Sequence, residues 1–217
     1  MSSLNGLLCY CRQGFEPELA AELNDRAARA ELPAYARTER NSGYALLVCE
    51  TALPPRALPW RGLIFARQKL RLLAELRELD PADRIGPMLQ ALAGHGRFGD
   101  LWVEHPDSDE GKQLSGLARS FGNALRPALR KAGLLSDKPQ PALPRLHVCF
   151  LAGTHALLAI ADSDDSAPWP LGIPRLKLLS DAPSRSALKL EEALLALLAP
   201  DEREALVKPG MRAADLG

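Results

Sequence analysis

Gly6-Leu7-Leu8-Cys9-Tyr10-Cys11, followed after a short gap by Pro17 to Ala30, decides the class of fold. The first stretch is an apolar run of strand length. The second sets Leu19, Ala20, Leu23 and Ala27 at the steps that bring them to one face of a helix. A buried strand handing its chain to an amphipathic helix is a β-α start, and an α+β fold is expected.

Reading outward, residues 34–50 give two short strands around Asn41-Ser42-Gly43, whose Asn and Gly tolerate positive φ, so a hairpin closes a βαββ unit. Leu53-Pro54-Pro55 and Pro59 end it. A second unit starts at Leu63 with an extended stretch to about Leu76 and a helix from Pro81 to about Leu92, headed by Asp80 as N-cap. Phe98–His105 reads as a strand, 109–132 as one long helix stopped by Gly133, and 145–161 as two apolar runs broken at Gly153-Thr154. From Asp162 to Pro174 the chain turns polar and proline-punctuated. The expected domains are 1–62, 63–162, a linker over 163–183, and 184–217. The last contains a helix over 184–198 with Leu190, Leu194, Leu197 and Leu198 on its apolar side, and a strand entering a turn at 212–217.

At 217 residues and 47% hydrophobic content the chain can bury one large core or two small ones. No apolar run approaches the ~20 residues that span a bilayer, and Met-Ser-Ser-Leu-Asn-Gly lacks a basic leader, so a cytoplasmic location is expected. Cys9, Cys11, Cys49 and Cys149 fall inside strand-like segments without metal-ligand spacing, and neither do His95, His105, His147 and His155 supply it; buried reduced thiols and no metal are expected.

Lysine plus arginine equals aspartate plus glutamate at 27 each, so any nucleic-acid contact must rest on local patches rather than on a net field. Lys112, Arg119 and Arg126 recur every seven residues and Arg130 follows four later, which on a single helix makes a basic stripe. Such a stripe is either a solvated face with cations drawn toward the helix C-terminus, or a phosphate contact. A second cluster holds Arg61, Arg67, Lys69 and Arg71, and a third holds Arg175, Lys177 and Arg185. With Asp107, Asp109, Glu110, Asp162, Asp164 and Asp165 lying elsewhere in the sequence, segregated charge is expected.

The stretch Gly172–Ala193, with its Ser184-Arg185-Ser186 and Lys189-Leu190, and the closing Pro-Gly-Met-Arg-Ala-Ala-Asp-Leu-Gly of 209–217 closely resemble the RlmM family. Its members are bacterial large-subunit ribosomal RNA cytidine ribose 2′-O-methyltransferases, related to the FtsJ type. The likeness continues through Gly14-Phe15-Glu16, Asn41-Ser42-Gly43-Tyr44 and Leu63-Ile64-Phe65-Ala66-Arg67-Gln68, and so runs through essentially the whole chain.

The resemblance implies a ferredoxin-like segment and an RNA-binding THUMP domain, followed by the first helix and strand of a Rossmann-like methyltransferase domain using S-adenosylmethionine. It implies that Lys189 matches the first lysine of a Lys-Asp-Lys-Glu tetrad, a supporting electrostatic and positioning residue. The residues by themselves also allow a surface ion pair of Lys189 with Glu192. Ser186 is implied at the cofactor, helix capping being its alternative, and Asp215-Leu216-Gly217 resembles the opening of the cofactor loop. Arg67, Lys112, Arg119, Arg126, Arg130, Arg175, Lys177 and Arg185 are expected to meet ribosomal RNA. Later tetrad members would fall beyond residue 217, so activity is expected of the full-length protein and not of this chain alone. The alternative is a non-catalytic THUMP RNA-binding or adaptor protein.

Overall fold

The computed structural model describes residues 2–3, 5–54, 56–177 and 186–212. They form two compact units, Met1–Ile173 and Pro174–Gly217.

The first unit carries strands β1 (Ser2–Ser3), β2 (Gly6–Tyr10), β3 (Ala34–Thr38), β4 (Tyr44–Cys49), β5 (Gln68–Leu76), β6 (Asp100–Glu104), β7 (Arg145–Ala152) and β8 (His155–Ala161), with helices α1 (Glu16–Arg29), α2 (Ile85–Leu92), α3 (Asp109–Lys112) and α4 (Ser115–Lys131). One sheet takes the order β3-β4-β2-β5-β8-β7-β6, with β1 paired to β5. Among the strands described, β6 and β7 are the one parallel pair. The expected hairpin is present, with Asn41 at φ 61° and Gly43 at φ 76°.

Strand alternation sorts the core into three clusters. Leu7 and Cys9 of β2, with Cys11 just beyond it, pack with Leu19, Leu23 and Ala27 of α1. Val148, Phe150 and Leu158 pack with Met88 and Leu92 of α2 and Leu125 and Leu129 of α4. Leu8, Tyr10, Leu70, Cys149 and Leu157 face the opposite way, joined by Leu171. Each fully buried leucine contributes roughly 1.5–3 kcal/mol of transfer free energy. Burial pushes the thiols of Cys9, Cys11 and Cys149 up to about 12, leaving them as unreactive apolar side chains.

β5 is the seam between two lobes, since it pairs with β2 on one side and β8 on the other. A bulge between Leu72 and Ala74 changes which face its residues serve, from the cluster of Leu8 to the cluster of α2 and α4.

Four expectations need correction. The helix expected from Pro81 starts at Ile85. Asp80 instead accepts from Ala82 N–H (2.8 Å) and Asp83 from Gly86 N–H (2.9 Å), so both carboxylates shape the preceding turn. The long helix of 109–132 is two helices, α3 and α4. Across the join, Gln113 N–H reaches Glu110 O and Leu114 N–H reaches Gly111 O, three-residue steps that interrupt the α pattern. Gly111 is pressed so close to the Pro106 carbonyl oxygen that a Cβ there would collide with it. The Gly133 stop is present at φ 73°, with Leu134 N–H returning to Leu129 O at 2.9 Å.

The third correction concerns the linker. Residues 162–173 belong to the first unit, held by side chains of β5 and β6. Gln68 donates to Ala167 O (3.1 Å) and accepts from Ala167 N–H (2.8 Å), and Glu104 accepts from Leu171 N–H (2.7 Å). Polar composition marked solvent exposure in the sequence, yet these buried side chains satisfy the backbone there.

The second unit holds α5 (Ser186–Leu197) and α6 (Pro200–Leu206). The fourth correction is that no residue of α5 is buried, with Leu190 64% and Leu197 77% exposed on its expected apolar side. Arg185, Gly217 and the strand expected at 212–217 lie wholly or mostly outside the described residues.

Candidate nucleic-acid interface

Of the six acids expected to lie apart from the basic clusters, five pair with basic side chains and, among the described residues, Glu110 does not. Asp107 pairs with Arg67 at 3.1 Å, Asp109 with Lys112 at 3.3 Å, Asp162 with Arg71 at 3.6 Å, Asp164 with Arg56, and Asp165 with Lys69. Around Arg67, Lys69, Arg71 and Lys112, charge is therefore matched in space rather than segregated. The Lys69–Asp165 pair is buried in the seam, where Lys69 Nζ also donates to Leu58 O (3.1 Å) and Asp165 accepts from Trp60 N–H (2.8 Å). These additional bonds offset the desolvation that such a pair otherwise suffers.

The stripe is likewise divided. Lys112 sits on α3 and is separated from α4 by the break. Arg126 donates to Asp100 Oδ1 and Leu101 O, both at 2.7 Å, and so fastens α4 to edge strand β6. Arg130 donates to Ser136 O (3.3 Å) and Asp137 O (2.7 Å), holding the chain after α4. Arg119 is exposed with no ion pair among the described residues. Beside it a groove of about 290 Å³ runs along β6, lined by Trp102, Asn123, Arg126 and Pro170 among others. A second hollow of about 320 Å³ is lined by Arg37, Arg40 and Arg77, but also by Glu39, Glu75 and Glu110.

Behind β6 lies a buried polar network that the sequence reading missed. His147 is fully buried, donating from Nδ1 to Glu104 (2.8 Å) while its Nε2 accepts from Arg145 Nε (3.0 Å). The arginine fixes the imidazole tautomer, since only an unprotonated Nε2 can accept. Burial alone would raise the Glu104 pKa, yet His147, the Leu171 N–H and Arg145 hold it below the ordinary carboxylate value. Burial lowers Arg145, opposed by Glu104 and Asp100. The Arg145 guanidinium lies 3.5 Å from the Trp102 ring centroid. The one sequence trace of this network is the two-residue spacing of Arg145 and His147, and Glu104 joins only through the β6–β7 pairing.

In the second unit Ser186 opens α5 and Lys189 is exposed on it, and no ion pair joins Lys189 to Glu192. Arg175 and Lys177 are exposed. Among the described residues no three histidines, cysteines or acids gather at one point. Nor is any helix among them long and apolar enough to cross a membrane.

The sheet, its two helical lobes and the polar seam define a mixed α/β chain assembled from two modules, and family comparison gives those modules names. Residues 4–70 match the RlmM ferredoxin-like domain and residues 83–162 match the N-terminal domain of ribosomal RNA large subunit methyltransferase M. Proteins named ribosomal RNA large subunit methyltransferase M are 75% identical in Xanthomonas oryzae pv. oryzae and 76% identical in Xanthomonas campestris pv. campestris, each over 99% of this chain. The chain belongs to the ribosomal RNA large subunit methyltransferase M family. It spans 62% of the length of these relatives. Among solved structures, a possible methylase from Clostridium difficile 630 is similar over 75% of this chain and 42% of its own, at 11% identity and a TM-score of 0.43.

Proposed function

We propose that this chain is the RNA-presenting part of an S-adenosylmethionine-dependent methyltransferase that modifies a ribose 2′-hydroxyl of large-subunit ribosomal RNA. The observation that carries the reading is identity of 75–76% to family members across 99% of the chain. The α-β-α-β-β succession of α2, β6, α4, β7 and β8 supports a THUMP-type module here. Residues 184–217 are assigned to the start of the Rossmann-like catalytic domain.

Methyl transfer from a sulfonium to a hydroxyl is an in-line displacement, so the hydroxyl must be deprotonated and held against the methyl carbon. Lys189 supplies positive charge and positioning at that site, Ser186 lies at the amino-acid end of the cofactor, and Gly217 belongs to the opening of the cofactor loop. Arg119, Arg175, Lys177 and Arg185 contact RNA phosphates. Arg67 and Arg126 are paired with Asp107 and Asp100, Arg130 donates to backbone carbonyls and Lys112 sits in an exposed pair with Asp109, and each reaches phosphate only by giving those contacts up.

The test is Lys189→Ala in a full-length family member carrying this sequence, assayed by single-turnover methylation of large-subunit ribosomal RNA. A rate loss of ~10²-fold or more with an unchanged melting temperature is expected, the scale of a positioned acid-base group. Wild-type turnover would remove Lys189 from the mechanism.

A further inference from the structure

Two sequence segments far apart in the chain meet at an exposed aromatic patch on the α1 side of the sheet. The Phe15 and Phe65 rings stack with centroids 6.2 Å apart and planes inclined at 28°. Phe15 is 39% exposed, and Ile64, beside Phe65, is 80% exposed. Such exposure of large apolar side chains is costly in water, and here it is imposed by the backbone. Glu22 of α1 accepts from Ile64 N–H (2.7 Å) and Phe65 N–H (3.0 Å), holding a loop in which Leu63 and Ala66 enter the core, Phe65 is half-buried and Ile64 faces solvent. Glu16 accepts from Gly14 N–H at 3.0 Å and so anchors the residue before Phe15.

Charge adjoins the patch, in space at Arg12 and along the sequence at Arg61. The Arg12 guanidinium lies 5.8 Å from the Phe15 centroid, and that of Arg61, three residues before Ile64, lies 5.6 Å from the Trp60 centroid. Both arginines are exposed, and neither has a carboxylate partner among the described residues. Of the acids of the adjoining helix, Glu16 and Glu22 face backbone N–H groups, Asp25 pairs with Arg29 and Glu18 is exposed. A rigid aromatic face flanked by unpaired guanidiniums matches the chemistry of an unpaired nucleotide, whose base stacks while its phosphate meets the cation.

We propose that Phe15, Ile64 and Phe65, flanked by Arg12 and Arg61, form a stacking platform for single-stranded RNA. The proposal rests on the RNA-presenting reading above and names the part of the surface that receives the strand.

Fluorescence anisotropy with the 217-residue chain and a labelled single-stranded oligoadenylate of about 12 nucleotides, a length within one binding site, tests it. Phe15→Leu with Phe65→Leu keeps apolar bulk in the core and removes both stacking faces. At least about fivefold weaker binding with an unchanged salt slope is expected, from the scale of base–aromatic stacking. Phe15→Tyr with Phe65→Tyr should bind as the wild type, whereas Arg12→Ala with Arg61→Ala should flatten the salt slope. Phe15→Leu alone, altering a largely exposed ring, gives the same direction without touching the core. Wild-type affinity in the leucine variants overturns the platform alone, as does loss of self-association or protein binding in them with RNA affinity intact. No RNA binding by the wild-type chain overturns the RNA-presenting reading and the platform with it.

Discussion

The two lobes that meet at β5 differ in the weight they give to acids and to arginines as backbone partners, although Arg26 donates to Gly62 O in the first and Asp80, Asp83 and Glu104 accept N–H groups in the second. In the lobe of α1, carboxylates receive backbone N–H groups: Glu16 takes those of Gly14, Asn41 and Gly43, and Glu22 those of Ile64 and Phe65. In the lobe of α2 and α4, guanidiniums donate to backbone carbonyls: Arg84 to Gly153 O, Arg126 to Leu101 O, Arg130 to Asp137 O and Arg145 to Ala167 O. The first arrangement absorbs acid and leaves Arg12 and Arg61 free. The second absorbs Arg126 and Arg130, two of the arginines that sequence alone assigns to phosphate. A count of cations therefore says little about where an RNA chain can rest until each one's intramolecular partner is known.

The largest effect expected from this contrast is at Glu16, which is 1% exposed and bridges the start of α1 to the 41–43 turn. Glu16→Ala strands several N–H groups and should cost about 3 kcal/mol, seen as a fall in melting temperature of roughly 6–12 °C. Burial would raise this carboxyl's pKa, but the N–H groups of Gly43, Gly14 and Asn41 bring it below the ordinary 4.5. Because its folded-state pKa is depressed, its contribution is complete above about pH 4.5 and fades as pH falls through the lower folded value. Glu104 is shifted in the same direction. Melting temperature below pH 4.5 should therefore drop less steeply in Glu16→Ala than in the wild type, without becoming flat. An unchanged acid limb would show that the Glu16 bonds do not stabilise the first lobe.

A smaller effect belongs to the second lobe. Arg126 is about one-third exposed, so solvent screens its pairing with Asp100. Arg126→Ala should cost about 1 kcal/mol, or roughly 2–4 °C in thermal melts. No change would return Arg126 to the pool of cations available to phosphate.

The same contrast explains what the sequence could reveal. Leu7, Cys9, Leu19, Leu23 and Ala27 alternate or recur at the periods of strand and helix, so β2, α1 and the hairpin were legible. Apolar runs likewise disclosed β7 and β8. The α3–α4 break was not legible, because Gln113 and Leu114 keep helical dihedral angles while only their hydrogen bonds shorten in reach. Nor was the true extent of the first unit, since residues 162–173 are held by Gln68 and Glu104, about 60 to 100 positions away in sequence. The basic residues were visible as types, but pairs such as Lys69–Asp165 and Arg67–Asp107 exist only once the sheet brings distant segments together. The motifs Gly14-Phe15-Glu16 and Leu63–Gln68 carry a family resemblance in sequence, while their meeting at stacked rings exists only in the fold.

The most direct test of the division between fold-holding and RNA-facing arginines measures RNA affinity against salt, alongside thermal melting, for two double variants of this chain. Arg126→Ala with Arg130→Ala should lower the melting temperature and leave the salt slope for oligoadenylate within error of the wild type. Arg12→Ala with Arg61→Ala should leave melting within about 0.5 kcal/mol of wild-type stability and reduce the slope by roughly 1.4, the value for two single-strand phosphate contacts. The reverse pattern, with the slope lost from the α4 variant and retained in the first-lobe variant, would contradict the account.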